Sequence, residues 1–192
     1  AQLKVINEGG SLSTGTNGGN PAITVSGADA VTLIFACGTD YKMELPNFRG
    51  EDPHKAVTAR IDAAAKKGYE ALKADHIADH SALFSRVELG FDEEIPQIPT
   101  DELIKKYRNM IENNGGDIPT SAEQRALEIM CYQFGRYLTI AGSRDGALPT
   151  NLQGVWGEGW FTWYGDYHFN INVQMNYWPT MASNLSECMK PY

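Results

Sequence analysis

The sequence predicts a chain in which β and α structure are segregated, strands first and helices after. Three observations predict this. Residues 1 to about 38 hold short β-branched runs separated by glycine and asparagine turns. From Asp52 onward, apolar residues recur at helical spacing between clear breakers. A capping signature at Thr120–Glu123 then opens a long amphipathic stretch. Strands followed by helices lack the β-α-β alternation of a doubly wound nucleotide-binding sheet.

Taken in order, Leu3–Ile6 and Ala22–Val25 are strand candidates, with Gly9-Gly10 and 17–20 as turns. The continuous apolar run from Ala30 to Ala36 predicts a strand covered on both faces. Three strands leave too many open edges to stand alone, so they read as the tail of a larger β domain. Asp52 before Pro53 predicts a helix N-terminus, with Val57, Ile61 and Ala64-Ala65 on one face and Gly68 as the stop. A second helix runs from Tyr69 to about Phe84, with Leu72, Ile77 and Leu83-Phe84 on one side. Arg86–Leu89 alternates and reads as a possible return strand, and Pro96, Pro99 and the acidic 92–94 mark a linker.

Thr100 is expected to cap a helix that ends at Asn114-Gly115-Gly116. Thr120 and Glu123 form a capping box for a longer helix whose apolar stripe is Leu127, Met130-Cys131, Phe134, Leu138 and Ala141. From 142 to 166 the chain reads as a loop rich in Gly, Pro and Trp, a length usually reserved for function. A last helix is expected from Asn172 to about Asn184, bent or ended in part by Pro179.

Composition excludes several partners. Of 192 residues, 42% are apolar and 24 carboxylates outnumber 16 Lys and Arg, with no basic run. That balance argues against nucleic acid and an anionic membrane surface, and the longest apolar stretch is too short for membrane insertion. Lys4 and Glu8 interrupt any apolar leader, and the Ala1-Gln2 start reads as a boundary within a longer protein. Cys37, Cys131 and Cys188 show neither paired nor metal-ligand spacing and are expected to be buried free thiols.

Chemistry concentrates near the C-terminal end. All four tryptophans, Trp156, Trp160, Trp163 and Trp178, fall there, with Phe161, Tyr164, Tyr167, Phe169 and Tyr177 among them. Flat rings with polar edges suit the apolar faces of sugars; an aromatic mini-core stapling a long loop would use the same residues. Asn151, Gln153, Glu158, Asp166, His168, Asn170, Asn172, Gln174 and Asn176 lie in the same segment. Amides present donor and acceptor together, as hydroxyl recognition requires. At a helix start Asn172 and Asn176 would align one turn apart. Helix N-capping accounts for one such Asn but not for the whole row.

Two stretches carry a resemblance to a known family. Ser143-Arg-Asp-Gly-Ala-Leu-Pro-Thr-Asn-Leu-Gln-Gly-Val-Trp156 is followed by Tyr167-His-Phe-Asn-Ile-Asn-Val-Gln-Met-Asn-Tyr-Trp-Pro179. Together with Tyr132–Leu138 and the Asp79-His80 to Val87 stretch, they resemble glycoside hydrolase family 95, which holds inverting α-L-fucosidases and some α-L-galactosidases. The resemblance implies the C-terminal strands of a β-sandwich over 1–50, a helical linker over 51–99 and the first helices of an (α/α)6 barrel over 100–192. It also implies that Asn172 positions and activates the hydrolytic water with Asn170 assisting, and that His168, Trp156, Gln153 and Asn151 bind substrate.

An amide is a very poor base, so Asn172 would need a carboxylate to polarise it. In the family that carboxylate and the general acid lie further along, so the chain by itself is expected to be inactive. Glu158, between two glycines, suits a mobile rim, and Asp166 suits an orienting role. The implied partner is a fucosylated glycan, hydrolysed without cofactor. α-L-Galactosidase activity and non-catalytic glycan binding are the alternatives, and a disaccharide phosphorylase would need a phosphate site the sequence does not show. The compartment stays open between extracellular, periplasmic and cytoplasmic. So does the oligomeric state.

Weaker signals point elsewhere. His76 and His80 have zinc-ligand spacing, but Ile77 stands where a metalloprotease helix carries Glu, and a packing or hydrogen-bonding role is favoured over metal binding. No Gly-x-Ser-x-Gly elbow and no phosphate-cradling loop with its Lys occur.

Overall fold

The computed structural model describes residues 1–90, 96–117, 120–157 and 162–192. Strands occupy the beginning and helices the remainder, as the periodicities require. The chain divides into two compact units, Ala1–Ile77 and Ala78–Tyr192.

In the first unit, β1 (Gln2–Glu8) pairs antiparallel with β4 (Ala30–Ala36), while β2 (Ser11–Asn17) and β3 (Asn20–Ser26) form a hairpin between them in sequence. The turns sit where glycine was read: Gly9, Gly10, Gly18 and Gly19 all have positive φ, which a side chain disfavours. β2 was not expected. Its Ser, Thr, Gly and Asn residues carry turn chemistry, and only pairing with β3 makes it a strand.

Helix α1 (His54–Lys67) covers one face of the β1–β4 ladder. Gln2 donates to Thr58 at 2.9 Å, and Lys4 pairs with Asp62 at 2.7 Å. The run from Ala30 to Ala36 is therefore not covered on both faces as predicted. Thr32, Ile34 and Ala36 turn inward, whereas Leu33 and Phe35 are 64% and 65% exposed. The α1 N-terminus behaves as read, displaced by one residue: the Asp52 carboxylate accepts the His54 N–H at 2.8 Å. Gly68, at φ 81°, ends the helix.

Helix α2 (Tyr69–Phe84) contains the division between the units. Of its expected apolar side, Leu83 is buried and Ile77 is exposed. Among the described residues no strand follows; residues 87–90 have no regular structure, which corrects the return-strand reading of Arg86–Leu89. The reason is a competing partner. The Val87 carbonyl accepts from Gln133 and Arg136 rather than from a strand.

In the second unit, α3 (Thr100–Asn113) and α4 (Ala122–Gly142) pack together. Leu103 is 1% exposed, and Lys106 reaches Glu123 at 2.5 Å, a bond that holds the Glu123 carboxyl below its usual range. The α4 cap is Ser121 rather than Thr120: its hydroxyl accepts the Gln124 N–H at 3.2 Å, so the capping frame is shifted by one.

The buried residues of α4 are Ala126, Arg136, Ile140 and Gly142, not the predicted stripe. Phe134 and Cys131 are exposed, and Phe134 stacks instead on Tyr137. Ile140 meets Leu83, Leu185 and Cys188 in a small core. Each such aliphatic side chain contributes about 1.5–3 kcal/mol.

What turns α4 is the buried guanidinium of Arg136. It donates to the carbonyls of Leu83 (3.1 Å), Phe84 (2.8 Å), Val87 (3.2 Å) and Ser183 (3.3 Å), and to the Gln133 side chain (2.9 Å). Those carbonyls end α2 and follow α5 (Asn172–Ala182), where helices leave acceptors unsatisfied and the dipole is negative. Pro179 lies inside α5 without ending it; the helix runs on to Ala182.

Of the cysteines, only Cys188 is buried, with its thiol pushed up by desolvation; Cys37 and Cys131 are exposed, which corrects the reading of all three as buried. His80 stacks on Phe84 and sits beside Tyr137, in keeping with packing rather than ligation. Among the described residues no helix is long and apolar enough to cross a membrane, and no group of three metal-ligating side chains occurs.

Candidate functional site

The site is built from two segments of the second unit: the turn at 149–154 and the start of α5. The turn closes on itself through Asn151 and Gly154, whose N–H and C=O groups exchange bonds at 3.0 and 3.2 Å. The Asn151 side chain stabilises it from within, its Oδ1 accepting the Gln153 N–H at 2.9 Å and its Nδ2 donating to the Gly165 carbonyl at 3.2 Å. Positive φ at Gly154 makes the closure possible.

Trp156 folds back over this turn. A Cβ at Gly154 would lie 2.9 Å from its ring, and one at Gly142 would lie 3.4 Å from it. The indole thus occupies room that two absent side chains leave, while remaining partly exposed. With Gln153, Thr139, Thr150, Asn176 and Tyr177 it lines a cleft of about 330 Å³. One flat apolar wall and several amide and hydroxyl groups at its margin can hold a polyhydroxylated ring.

The start of α5 is formed by an unusual turn. Ile171 has φ 81° and ψ −30°, a conformation that a β-branched residue adopts only under constraint. The constraint is visible: the His168 carbonyl accepts the Val173 N–H at 3.0 Å, and the Phe169 carbonyl accepts the Gln174 side-chain N–H at 2.7 Å. Asn170 and Asn172 therefore flank a forced reversal of the chain. Asn170 is exposed and Asn172 half-buried, and no described residue hydrogen-bonds to either side chain. His168 meets Trp163 edge-on at 5.4 Å, and its Nδ1 is 3.4 Å from the Asp166 carbonyl.

The predicted site residues thus fall in two groups. Gln153 and Trp156 line the cleft, with Asn151 as the internal brace of their turn. His168, Asn170 and Asn172 gather at the α5 start and do not line that cleft. Asn176, one helical turn after Asn172, joins them: it lines the cleft and its Nδ2 donates to the Asn151 carbonyl at 2.6 Å. Glu158, Trp160 and Phe161 lie outside the described residues.

Sequence reasoning placed Tyr177 only among the aromatics. Its hydroxyl meets Ser143 Oγ at 2.8 Å and accepts the Thr150 N–H at 2.9 Å. The available signal was the rule that a buried tyrosine hydroxyl finds partners, but the rule does not name them. The family-like stretches also meet one another. Arg136 binds 83–87, and Arg144 makes a two-pronged pair with Asp79 at 2.6 and 2.9 Å, which raises the guanidinium's pKa further.

Residues 68–192 match the glycosyl hydrolase family 95 catalytic domain. Over 200 aligned residues, covering 100% of this chain and 24% of the relative, the sequence is 34% identical to a probable alpha-fucosidase A of Aspergillus niger. Alpha-L-fucosidase 2 of Arabidopsis thaliana is 32% identical, with 97% of this chain and 21% of that protein aligned. A probable alpha-fucosidase A of Aspergillus oryzae is 34% identical over 88% of this chain and 23% of its own length. The chain spans about a quarter of the curated relatives it matches.

Proposed function

Because the chain belongs to glycosyl hydrolase family 95, we propose that the protein containing it hydrolyses terminal α-L-fucosyl residues, α-1,2-linked, with inversion at the anomeric carbon. The observation that carries this reading is the shared face of α5. Asn172 presents an amide with no partner among the described residues, one turn from Asn176, which belongs to the cleft with Gln153 and Trp156. The names of the relatives direct the choice of sugar.

In this reading Trp156 takes an apolar face of the fucose, Gln153 and His168 bind its hydroxyls, and Asn151 holds the turn that presents them. Asn172, assisted by Asn170, orients the attacking water. A neutral amide cannot keep a proton, so a carboxylate outside residues 1–192 accepts it through Asn172, and a carboxylic acid also outside them protonates the leaving oxygen. In an inverting site those two groups stand roughly 6.5–9.5 Å apart, with room for the water between acid and base sides. Residues 1–50 are the closing strands of a β-sandwich, 51–99 the linker and 100–192 the first helices of an (α/α)6 barrel; the strand-to-helix order supports that assignment. No cofactor takes part.

The test is Asn172→Ala in the full-length protein, assayed with α-1,2-fucosylated and α-L-galactosylated oligosaccharides. Loss of kcat by roughly 10²-fold or more, with KM little changed, is expected for a group that acts on the water. Unchanged turnover removes Asn172 from the mechanism, and preference for L-galactosides reassigns the substrate.

A further inference from the structure

The turn that carries Asn151, Gln153 and Trp156 is held to α5 at two successive cleft residues, neither of which acts on the water or the leaving group in the reading above. Asn176 donates to the Asn151 carbonyl at 2.6 Å. Tyr177, 3% exposed, accepts the Thr150 N–H at 2.9 Å and pairs with Ser143 Oγ at 2.8 Å. Ser143 in turn donates to the Cys188 carbonyl at 2.8 Å. Both ends of the 143–150 segment are therefore fastened to one phenolic oxygen, and the arrangement is buried: Ser143 is 1% exposed and Thr150 9%.

The geometry points to Tyr177 as a positioning residue that sets the sugar-binding turn at a fixed height above Asn172, an inference that rests on the fucosidase reading of the site. Asn172 and Tyr177 belong to one rigid helix, so a turn fastened at 177 keeps a constant distance from the water-orienting amide at 172. Tyr177 acts through the backbone of Thr150: its side chain is buried, and its hydroxyl accepts the Thr150 N–H and donates to Ser143 Oγ, whose own proton goes to the Cys188 carbonyl. Removing only that oxygen leaves the ring to fill its place and the Thr150 N–H without its partner. The turn then loses one of its two fastenings to α5 while the amide at Asn172 stays where it was.

The experiment uses the full-length protein with Tyr177→Phe, and Asn176→Ala as a second variant that releases the other fastening. Amide hydrogen exchange of the 144–156 region without substrate is expected to accelerate about tenfold or more, with the 122–142 helix unchanged. On a terminal α-L-fucoside, Tyr177→Phe is expected to raise KM and the inhibition constant for free fucose about tenfold each, with kcat per folded enzyme changed less than about twofold; Asn176, whose amide lines the cleft, is read by exchange alone. Unchanged exchange in both variants overturns the clasp. Faster exchange with KM unchanged, or a fall only in the fraction of folded enzyme, overturns its role in positioning. A wild-type protein that neither cleaves nor binds fucosides sinks the fucosidase reading instead, and the exchange measurement then decides the clasp by itself.

Discussion

Replacing Arg136 tests whether a fork of hydrogen bonds, rather than a charge, joins α2, α4 and the end of α5. In Arg136→Met the stem volume is kept and the guanidinium is lost. Val87 retains the Gln133 amide at 3.3 Å, and Leu83 retains the Arg86 N–H at 3.4 Å. Phe84 and Ser183 lose their guanidinium donors, each at about 2 kcal/mol for a buried acceptor left bare. The contact between the guanidinium and the Phe84 ring, at 5.1 Å, adds about 1 kcal/mol.

Against that loss of about 5 kcal/mol, the variant no longer desolvates a cation, which returns about 3 kcal/mol. The net cost is about 2 kcal/mol. Arg136→Lys makes the sharper comparison. The ammonium still has to be desolvated yet cannot span carbonyls on both sides of the fork, so the lysine protein is expected to be the less stable, by about 3 kcal/mol relative to wild type. At about 3 °C per kcal/mol, the melting transition of the catalytic domain in the full-length protein falls by about 6 °C for Met and about 9 °C for Lys. Differential scanning calorimetry reads both. A lysine protein melting within about 2 °C of wild type would refute the reasoning, because charge alone would then suffice.

Two further outcomes follow from local geometry. Ile171→Gly releases the positive-φ strain between Asn170 and Asn172, roughly 1–3 kcal/mol, against a glycine entropy cost of about 1 kcal/mol. The melting temperature is therefore expected to hold or rise while turnover drops; a lower melting temperature contradicts the strain. In acid, Glu123 and Asp145 are held below the usual carboxylate range by hydrogen bonds from Lys106 and Lys190, and Glu187 by its own backbone N–H and then by Arg86. Their folded-state values lie under their unfolded ones, so their stabilisation is present above about pH 4–5 and disappears as the pH falls through the depressed values. Melting temperatures measured from pH 7 to pH 3 should bend downward only in that lower range. The acid limb should be shallower in a Lys106→Met/Lys190→Met protein, and an equal slope would show that these pairs are not its source.

The order of strands and helices was legible because the two periods differ and the breakers are strong. Gly68 and Asn114 mark helix ends correctly, and Asp52 and Thr100 mark starts to within a residue. β2 was illegible since nothing in its own side chains favours a strand; β3 supplies the reason. Apolar content does not mark the buried face of α4, because Arg136 faces inward to satisfy carbonyls 47 to 53 positions away. The amide and aromatic segment was visible from residue types alone. Tyr177's role was not, because its partners lie 27 and 34 positions off and one of them is a backbone N–H.

The seat of Trp156 has a consequence for how this sequence can change over time. Its ring rests where side chains at Gly142 and Gly154 would otherwise be. The three positions are therefore linked in descent. A lineage that acquires a side chain at 154 must give up the indole or move it and also bear the strain of a positive φ, whereas one that shrinks residue 156 frees Gly142 alone. Across divergent relatives, a side chain at 142 is expected only where residue 156 is small, while glycine at 154 persists in either case, a covariation pattern that needs no knowledge of the substrate to detect.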